Sequence, residues 1–137
     1  MATQHDEDPW RSSGLRRLVR AAGHQASGIR YGLSNDSAIR QVSIAVLLLA
    51  PIAVLLPVSR IEHLLLLLSL MFVAVIEYVN SAVEACVNRI SLERHPLSRQ
   101  AKDYASVAVG GAALMCGLCW FVIAGPLVLH WLRTVTH

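Results

Sequence analysis

The sequence predicts an all-α membrane protein with an amino-terminal surface helix and three transmembrane helices. Hydrophobic residues make up 55% of its 137 residues and charged residues 15%, whereas a soluble domain carries about 25% charged residues. Three long apolar stretches alternate with short polar segments. This composition leaves too little polar surface for a small soluble domain and excludes intrinsic disorder. The net charge of +3 is too small to indicate a nucleic-acid-binding protein, so none is expected as a partner.

The amino terminus divides into a tail and a basic helix. Residues 1–12 contain three acidic side chains and no apolar core, which predicts a disordered polar tail rather than a signal peptide. Apolar residues recur at every third or fourth position through residues 13–33, as on one face of a helix, while Arg16, Arg17 and Arg20 lie largely on the other face. Such a helix is typical of a membrane surface. A soluble helix packed on a core is the alternative, but the rest of the sequence provides no soluble core.

Residues 13–137 form one predicted membrane domain. The polar segment at residues 34–37 contains good helix-starting residues and precedes a first span predicted at 38–57. The second and third spans are predicted at 61–90 and 104–132, and each is long enough to cross a bilayer, which requires about 20 residues.

The distribution of basic residues predicts the orientation. With three spans, residues 1–41 and 88–103 flank one side of the membrane, and they contain ten of the twelve Lys and Arg residues. Only Arg60 and Arg133 lie at the opposite side of the membrane. By the positive-inside rule, the amino terminus of this multi-pass protein and the loop between its second and third spans face the cytoplasm, and the carboxyl terminus faces out.

A polar stripe runs along the second span. Glu77, Asn80, Glu84 and Asn88 are spaced by three or four residues and therefore project from one helix face. Because ionisable groups inside a membrane helix cost several kcal/mol, they are candidates for function.

Three functions are compatible with this stripe. In a structural interpretation, Glu77 and Glu84 pair with arginines or amides and fix helix packing. In a transport interpretation, a membrane carboxylate carries protons or cations, although the nearly unbroken apolar residues at 64–76 offer no polar path across. In an enzymatic interpretation, the two carboxylates hold a metal ion and activate a hydroxyl group at the cytoplasmic interface.

The pattern E-x-x-N-S-A-x-E at residues 77–84, followed by Asn88, Arg89 and Ile90, resembles the signature of the prokaryotic diacylglycerol kinases. These are small three-span lipid kinases, and undecaprenol kinases are included among them. Further similar segments lie at residues 21–30, 35–41 and 101–108, and the resemblance covers residues 14–132. The familiar phosphate-binding motifs of other nucleotide enzymes do not occur, so the kinase prediction comes from this resemblance.

The resemblance implies transfer of a phosphoryl group from magnesium-ATP to diacylglycerol by a homotrimer in the bacterial inner membrane. Undecaprenol is the alternative acceptor. Glu77 would be the general base, Asn80 would order the site, and Asp36 and Glu84 would hold Mg²⁺. Asp36, His24 and Asn88 stand where the family usually has Glu, Tyr and Asp.

The resemblance also implies two sets of binding residues. The nucleotide would contact Arg17, His24, Asp36, Glu84, Glu93, Arg94, His95, Lys102 and Asp103. The lipid would contact Arg17, Ala21, Ala22, Gly23, Arg30, Arg40, Gln41, Glu77 and Ser106.

Overall fold

The computed structural model describes residues 14–90 and 95–135, and all of its regular structure is helical. The four helices are α1 (Gly14–Asn35), α2 (Ser37–Leu55), α3 (Arg60–Ile90) and α4 (Pro96–Val135). The predicted all-helical class is confirmed for these residues, and α2, α3 and α4 are long and apolar enough to cross a membrane. The predicted tail at residues 1–12 lies outside the described part of the chain.

Local capping groups explain where the helices begin. Asp36 is the single residue between α1 and α2, and its extended backbone and side-chain oxygen make it the N-cap of α2. At the start of α3, Ser59 and Glu62 cap each other: Ser59 N–H donates to Glu62 Oε2 at 2.7 Å, and Glu62 N–H donates to Ser59 Oγ at 3.3 Å. These reciprocal bonds satisfy two backbone donors that the first turn of the helix leaves without partners.

Helix α4 begins at Pro96, well before the third span predicted from residue 104. Proline is tolerated at the first helical position because its missing N–H would have no partner there. The next free N–H, that of Leu97, donates to His95 Nδ1 at 3.2 Å. The polar residues that follow are therefore part of a helix that extends beyond the apolar stretch, rather than part of a loop.

Helix α3 is at the centre of the fold and packs against both α2 and α4. The few fully buried apolar side chains, Ile39, Ala53, Leu66, Leu70 and Ala112, mark these contacts. Large apolar side chains remain exposed along all three long helices, including Leu47, Leu68 and Phe121. Such a surface is suited to lipid or to other membrane helices, and it agrees with a membrane protein.

Gly32 allows α1 to approach α2 and α3 closely near the α1–α2 junction. A Cβ atom added at Gly32 would lie 2.8 Å from Ile39 Cδ1 and 3.1 Å from Tyr78 Cε1, both shorter than ordinary contacts. Ile39 is only 3% exposed and has little room to move. We therefore expect Gly32→Ala to destabilise the protein in detergent by about 1–3 kcal/mol, the usual cost of overpacking.

The control for this variant is Gly28→Ala, one turn earlier on α1, where an added Cβ has nothing within 4 Å. Alanine has the better helix propensity, so this change should stabilise by about 0.5–1 kcal/mol. Thermal or denaturant unfolding of the two purified variants measures both effects. Equal shifts of the same sign would show that close packing at Gly32 does not matter.

Candidate active site

An open pocket of about 370 Å³ lies where α1, α2 and α3 meet. Its polar lining consists of Asn35, Asp36, Ser81, Glu84 and Asn88, and Tyr31, Ile39 and Tyr78 are among its larger remaining residues. The pocket therefore brings together side chains from the α1–α2 junction and from the polar stripe of α3.

Asp36 uses its two carboxylate oxygens for different contacts. Oδ1 accepts hydrogen bonds from Ala38 N–H at 2.9 Å and from Ile39 N–H at 3.2 Å, which is the helix cap. Oδ2 accepts a hydrogen bond from the Ser81 hydroxyl at 2.6 Å. The Ser81 hydrogen bond is the main cause that holds the pKa of Asp36 below its usual range, and the two backbone bonds act in the same direction. Asp36 is therefore an anion that faces α3.

Asp36, at the start of α2, and Glu84, near the end of α3, line the same pocket. Both offer carboxylate oxygens, the ligand type that Mg²⁺ prefers. Among the residues at 14–90 and 95–135, no cluster of three His, Cys, Asp or Glu side chains is suited to a metal ion. Mg²⁺ at nucleotide sites commonly uses one or two carboxylates together with phosphate oxygens, so two carboxylates fit this ion without a third.

Glu77 is buried, with 7% of its surface exposed, and is the one buried polar or charged residue in the described part of the chain. It lies two helical turns from Glu84, about 10 Å along α3, and is not among the residues that line the pocket. Asn80 lies one helical turn after Glu77 on the same face of α3. Asn80 Oδ1 is itself buried and has no hydrogen-bond partner within the described residues.

The start of α4 brings one basic residue to the edge of the pocket. Lys102 Nζ donates a hydrogen bond of 2.8 Å to Asn88 Oδ1, and Asn88 lines the pocket. Arg99 and Asp103 form an exposed pair at 3.7 Å one turn apart, which is a weak surface interaction. His95 caps α4, as described above, and Glu93 and Arg94 lie outside the described residues.

The remaining predicted residues do not line the pocket. Those on α1, namely Arg17, Ala21, Ala22, Gly23, His24 and Arg30, are all exposed. Gln41 and Ser106 are exposed as well. Arg40 is exposed, but its Nη1 donates to the Ser34 carbonyl oxygen at 3.1 Å and so bridges the α1–α2 junction.

Ser81 is a pocket residue that the sequence analysis did not select. It lies four residues after Glu77 and three before Glu84, so the same helical periodicity that identified the stripe includes it. The periodicity alone could therefore have selected Ser81. However, the hydroxyl of a serine in a membrane helix commonly donates to a backbone carbonyl of the same helix, as the Ser69 hydroxyl does to the Leu66 carbonyl.

A family model described as "Prokaryotic diacylglycerol kinase" matches residues 23–124. The chain belongs to this family. The chain is 41% identical to the diacylglycerol kinase of Escherichia coli (strain K12) over 112 residues, which cover 82% of this chain and 92% of that protein. It is 39% identical to the diacylglycerol kinase of Pseudomonas aeruginosa over 111 residues, 81% of this chain and 90% of that protein.

A more distant relative gives the same result. The diacylglycerol kinase of Helicobacter pylori (strain ATCC 700392 / 26695) is 34% identical over 124 residues, 90% of this chain and 93% of that protein. The family predicted from the E-x-x-N-S-A-x-E pattern is thus confirmed. The pocket residues Asp36, Ser81, Glu84 and Asn88 all lie within the stretch that matches the diacylglycerol kinase family.

Proposed function

We propose that the protein transfers the γ-phosphoryl group of ATP to the free hydroxyl of 1,2-diacylglycerol, giving phosphatidic acid and ADP. The observation that carries this proposal is the shared pocket of Asp36 and Glu84 at one end of the apolar helices. A diacylglycerol headgroup lies at the corresponding level of a membrane, and membership in the diacylglycerol kinase family supports the same reaction.

Glu77 acts as the general base in this proposal. The lipid hydroxyl gives its proton to the Glu77 carboxylate while its oxygen attacks the γ-phosphorus. The bond from that phosphorus to the bridging oxygen of ADP breaks at the same time. Glu77 is buried, which keeps competing water away from the base, and Asn80 beside it fixes the carboxyl orientation.

The Mg²⁺ ion that accompanies ATP would be held by Asp36 and Glu84. When bound, it neutralises phosphate charge in the transition state. The cap leaves Asp36 Oδ2 available on the side of α3, and Glu84 is exposed in the same pocket, so the donor set fits the ion. Lys102, which is hydrogen-bonded to Asn88 at the pocket edge, is a proposed contact for the phosphates.

Further contacts are proposed from the family resemblance. The nucleotide extends towards Arg17, His24 and the start of α4, including His95 and Asp103. The lipid lies along the exposed face of α1 and the adjoining helix surfaces.

We propose that the chain lies in the bacterial inner membrane with its amino terminus in the cytoplasm. The basic residues concentrate in α1 and around the α3–α4 connection, the same end of the fold as the pocket. In this orientation the site meets cytoplasmic ATP. Helix α1, with its arginines and the apolar side chains of Leu18, Val19, Ile29 and Leu33 exposed, lies on the membrane surface.

The active form is proposed to be a homotrimer. Small residues at Ser106, Gly110, Ala113 and Gly117 are spaced four or three apart on α4 and are exposed, so a neighbouring helix can approach closely there. We expect a polypeptide mass of three 15.0 kDa chains for the protein in a mild detergent, measured by light scattering with the detergent contribution subtracted. A fully active monomer would contradict the trimer.

A side-by-side acceptor assay tests the proposed function. Purified protein in mixed micelles is given γ-labelled ATP and Mg²⁺ with either diacylglycerol or undecaprenol, and we expect label in phosphatidic acid. Faster labelling of undecaprenol would reassign the acceptor. Label in neither lipid would favour a packing role for the stripe, and proton flux in liposomes would favour transport.

A further inference from the structure

Ser81 connects the two parts of the chain that form the pocket. Its hydroxyl donates a 2.6 Å hydrogen bond to Asp36 Oδ2, across 45 positions of sequence. Ser81 and Glu84 lie one turn apart on α3, and both line the pocket. The bond therefore fixes the Asp36 carboxylate relative to the helix that carries Glu84.

This bond acts on the oxygen that the helix cap leaves available. The cap holds Oδ1 through two backbone N–H groups, Ala38 and Ile39. The terminal torsion of an aspartate is otherwise broad, so the cap alone restrains Oδ2 only loosely. The hydrogen bond from Ser81 restrains Oδ2 as well. Both carboxylate oxygens are then held, and the planar group has one orientation.

We propose that Ser81 is a positioning residue that orients Asp36 Oδ2 towards Glu84 for binding of the magnesium–nucleotide complex. The inference rests on the proposed function, which assigns Asp36 and Glu84 to the metal ion. A carboxylate that is already oriented loses less freedom when a cation arrives, and hydrogen bonds to metal ligands tune metal affinity in this way. One lone pair of Oδ2 serves Ser81, and the other remains for the ion.

The test compares Ser81→Ala with the wild-type full chain in detergent micelles. Binding of Mn²⁺ in the presence of a non-hydrolysable ATP analogue is followed by electron paramagnetic resonance, independently of turnover. We expect the Mn²⁺ dissociation constant to rise roughly 3- to 10-fold, because one hydrogen bond to a charged group is lost but water partly replaces it. The Mg²⁺ concentration for half-maximal rate should rise equally, with KM for diacylglycerol unchanged.

Two matched variants make the result specific. Ser81→Thr keeps the hydroxyl and should restore Mn²⁺ affinity. Ser69→Ala removes a hydroxyl from the same helix that donates to the Leu66 carbonyl at 2.8 Å, away from the pocket, and should leave Mn²⁺ affinity unchanged. If Ser81→Ala does not fold, Ser81→Cys, similar in shape but a weaker donor, replaces it under the same criterion.

Unchanged Mn²⁺ affinity in Ser81→Ala, or an equal loss in Ser69→Ala, would overturn the positioning role. No nucleotide-dependent Mn²⁺ binding by the wild type would overturn it as well. A failure of the proposed function has a different signature: the wild type binds Mn²⁺ and nucleotide but labels neither lipid. In that case the Mn²⁺ titration still decides the role of Ser81.

Discussion

Glu77→Gln should lower kcat for phosphorylation of diacylglycerol by roughly 10²- to 10⁴-fold, the usual contribution of a general base. Glutamine has nearly the same shape and can still interact with Asn80, but it cannot accept the proton of the lipid hydroxyl. Because glutamine has nearly the same volume as glutamate, the substitution leaves no cavity around the buried side chain, and thermal stability should stay close to that of the wild type. Initial rates at saturating ATP and lipid, together with a melting curve in detergent, measure both properties.

The control for this variant is Glu62→Gln at the opposite end of α3. Glu62 caps the first turn by accepting from Ser59 N–H, a bond that a glutamine oxygen can also accept. The kcat of the Glu62→Gln variant should equal that of the wild type. If Glu77→Gln unfolds while activity per folded molecule survives, Glu77 is a packing group and not the base.

Asp36→Asn should raise the Mg²⁺ concentration needed for half-maximal rate by about 10-fold or more, since loss of groups that support a metal costs 10- to 100-fold in affinity. Asparagine is as good a cap as aspartate, so the bonds to Ala38 and Ile39 should persist and the melting temperature should change little. What the variant loses is the negative charge at the pocket. Titration of activity against Mg²⁺ at fixed ATP is the measurement.

Asp36→Glu tests the same two roles of Asp36, the cap and the metal ligand, and the expected effects are the reverse of those for Asp36→Asn. Glutamate keeps the charge and is longer by one carbon–carbon bond, about 1.5 Å, but it is a poorer cap. We expect the Mg²⁺ requirement to stay unchanged or fall while the melting temperature drops. A fully active Asp36→Asn together with an impaired Asp36→Glu would make Asp36 a cap alone and leave the metal to Glu84.

Local patterns were sufficient to predict the all-helical class. The apolar stretches and their periodicity predicted an all-helical membrane protein because a transmembrane helix satisfies its backbone hydrogen bonds within itself. The sequence analysis predicted a third span from residue 104 and did not predict the helical residues before it. In the structure, His95 caps a helix that simply extends past the apolar stretch.

The site was only partly predictable, because its contacts are not local. The spacing of Glu77 and Glu84 showed a polar face, but not that Glu77 is buried while Glu84 is exposed. Residues 34–37 predicted a helix start, and the family resemblance assigned Asp36 to the metal ion, but the sequence did not indicate how one side chain could serve both roles. The structure shows that the cap uses Oδ1 and leaves Oδ2 to face Ser81, a contact that no local pattern encodes.

The single-residue junction between α1 and α2 has a mechanical consequence. Asp36 is the only residue between the two helices, so the tilt of α1 against α2 is set by a few backbone torsions around Asp36 itself. The junction contains no further residues whose backbone torsions could absorb a movement of α1. A change in the tilt of α1 would therefore also move the carboxylate of Asp36, because the residue that joins the two helices also lines the pocket.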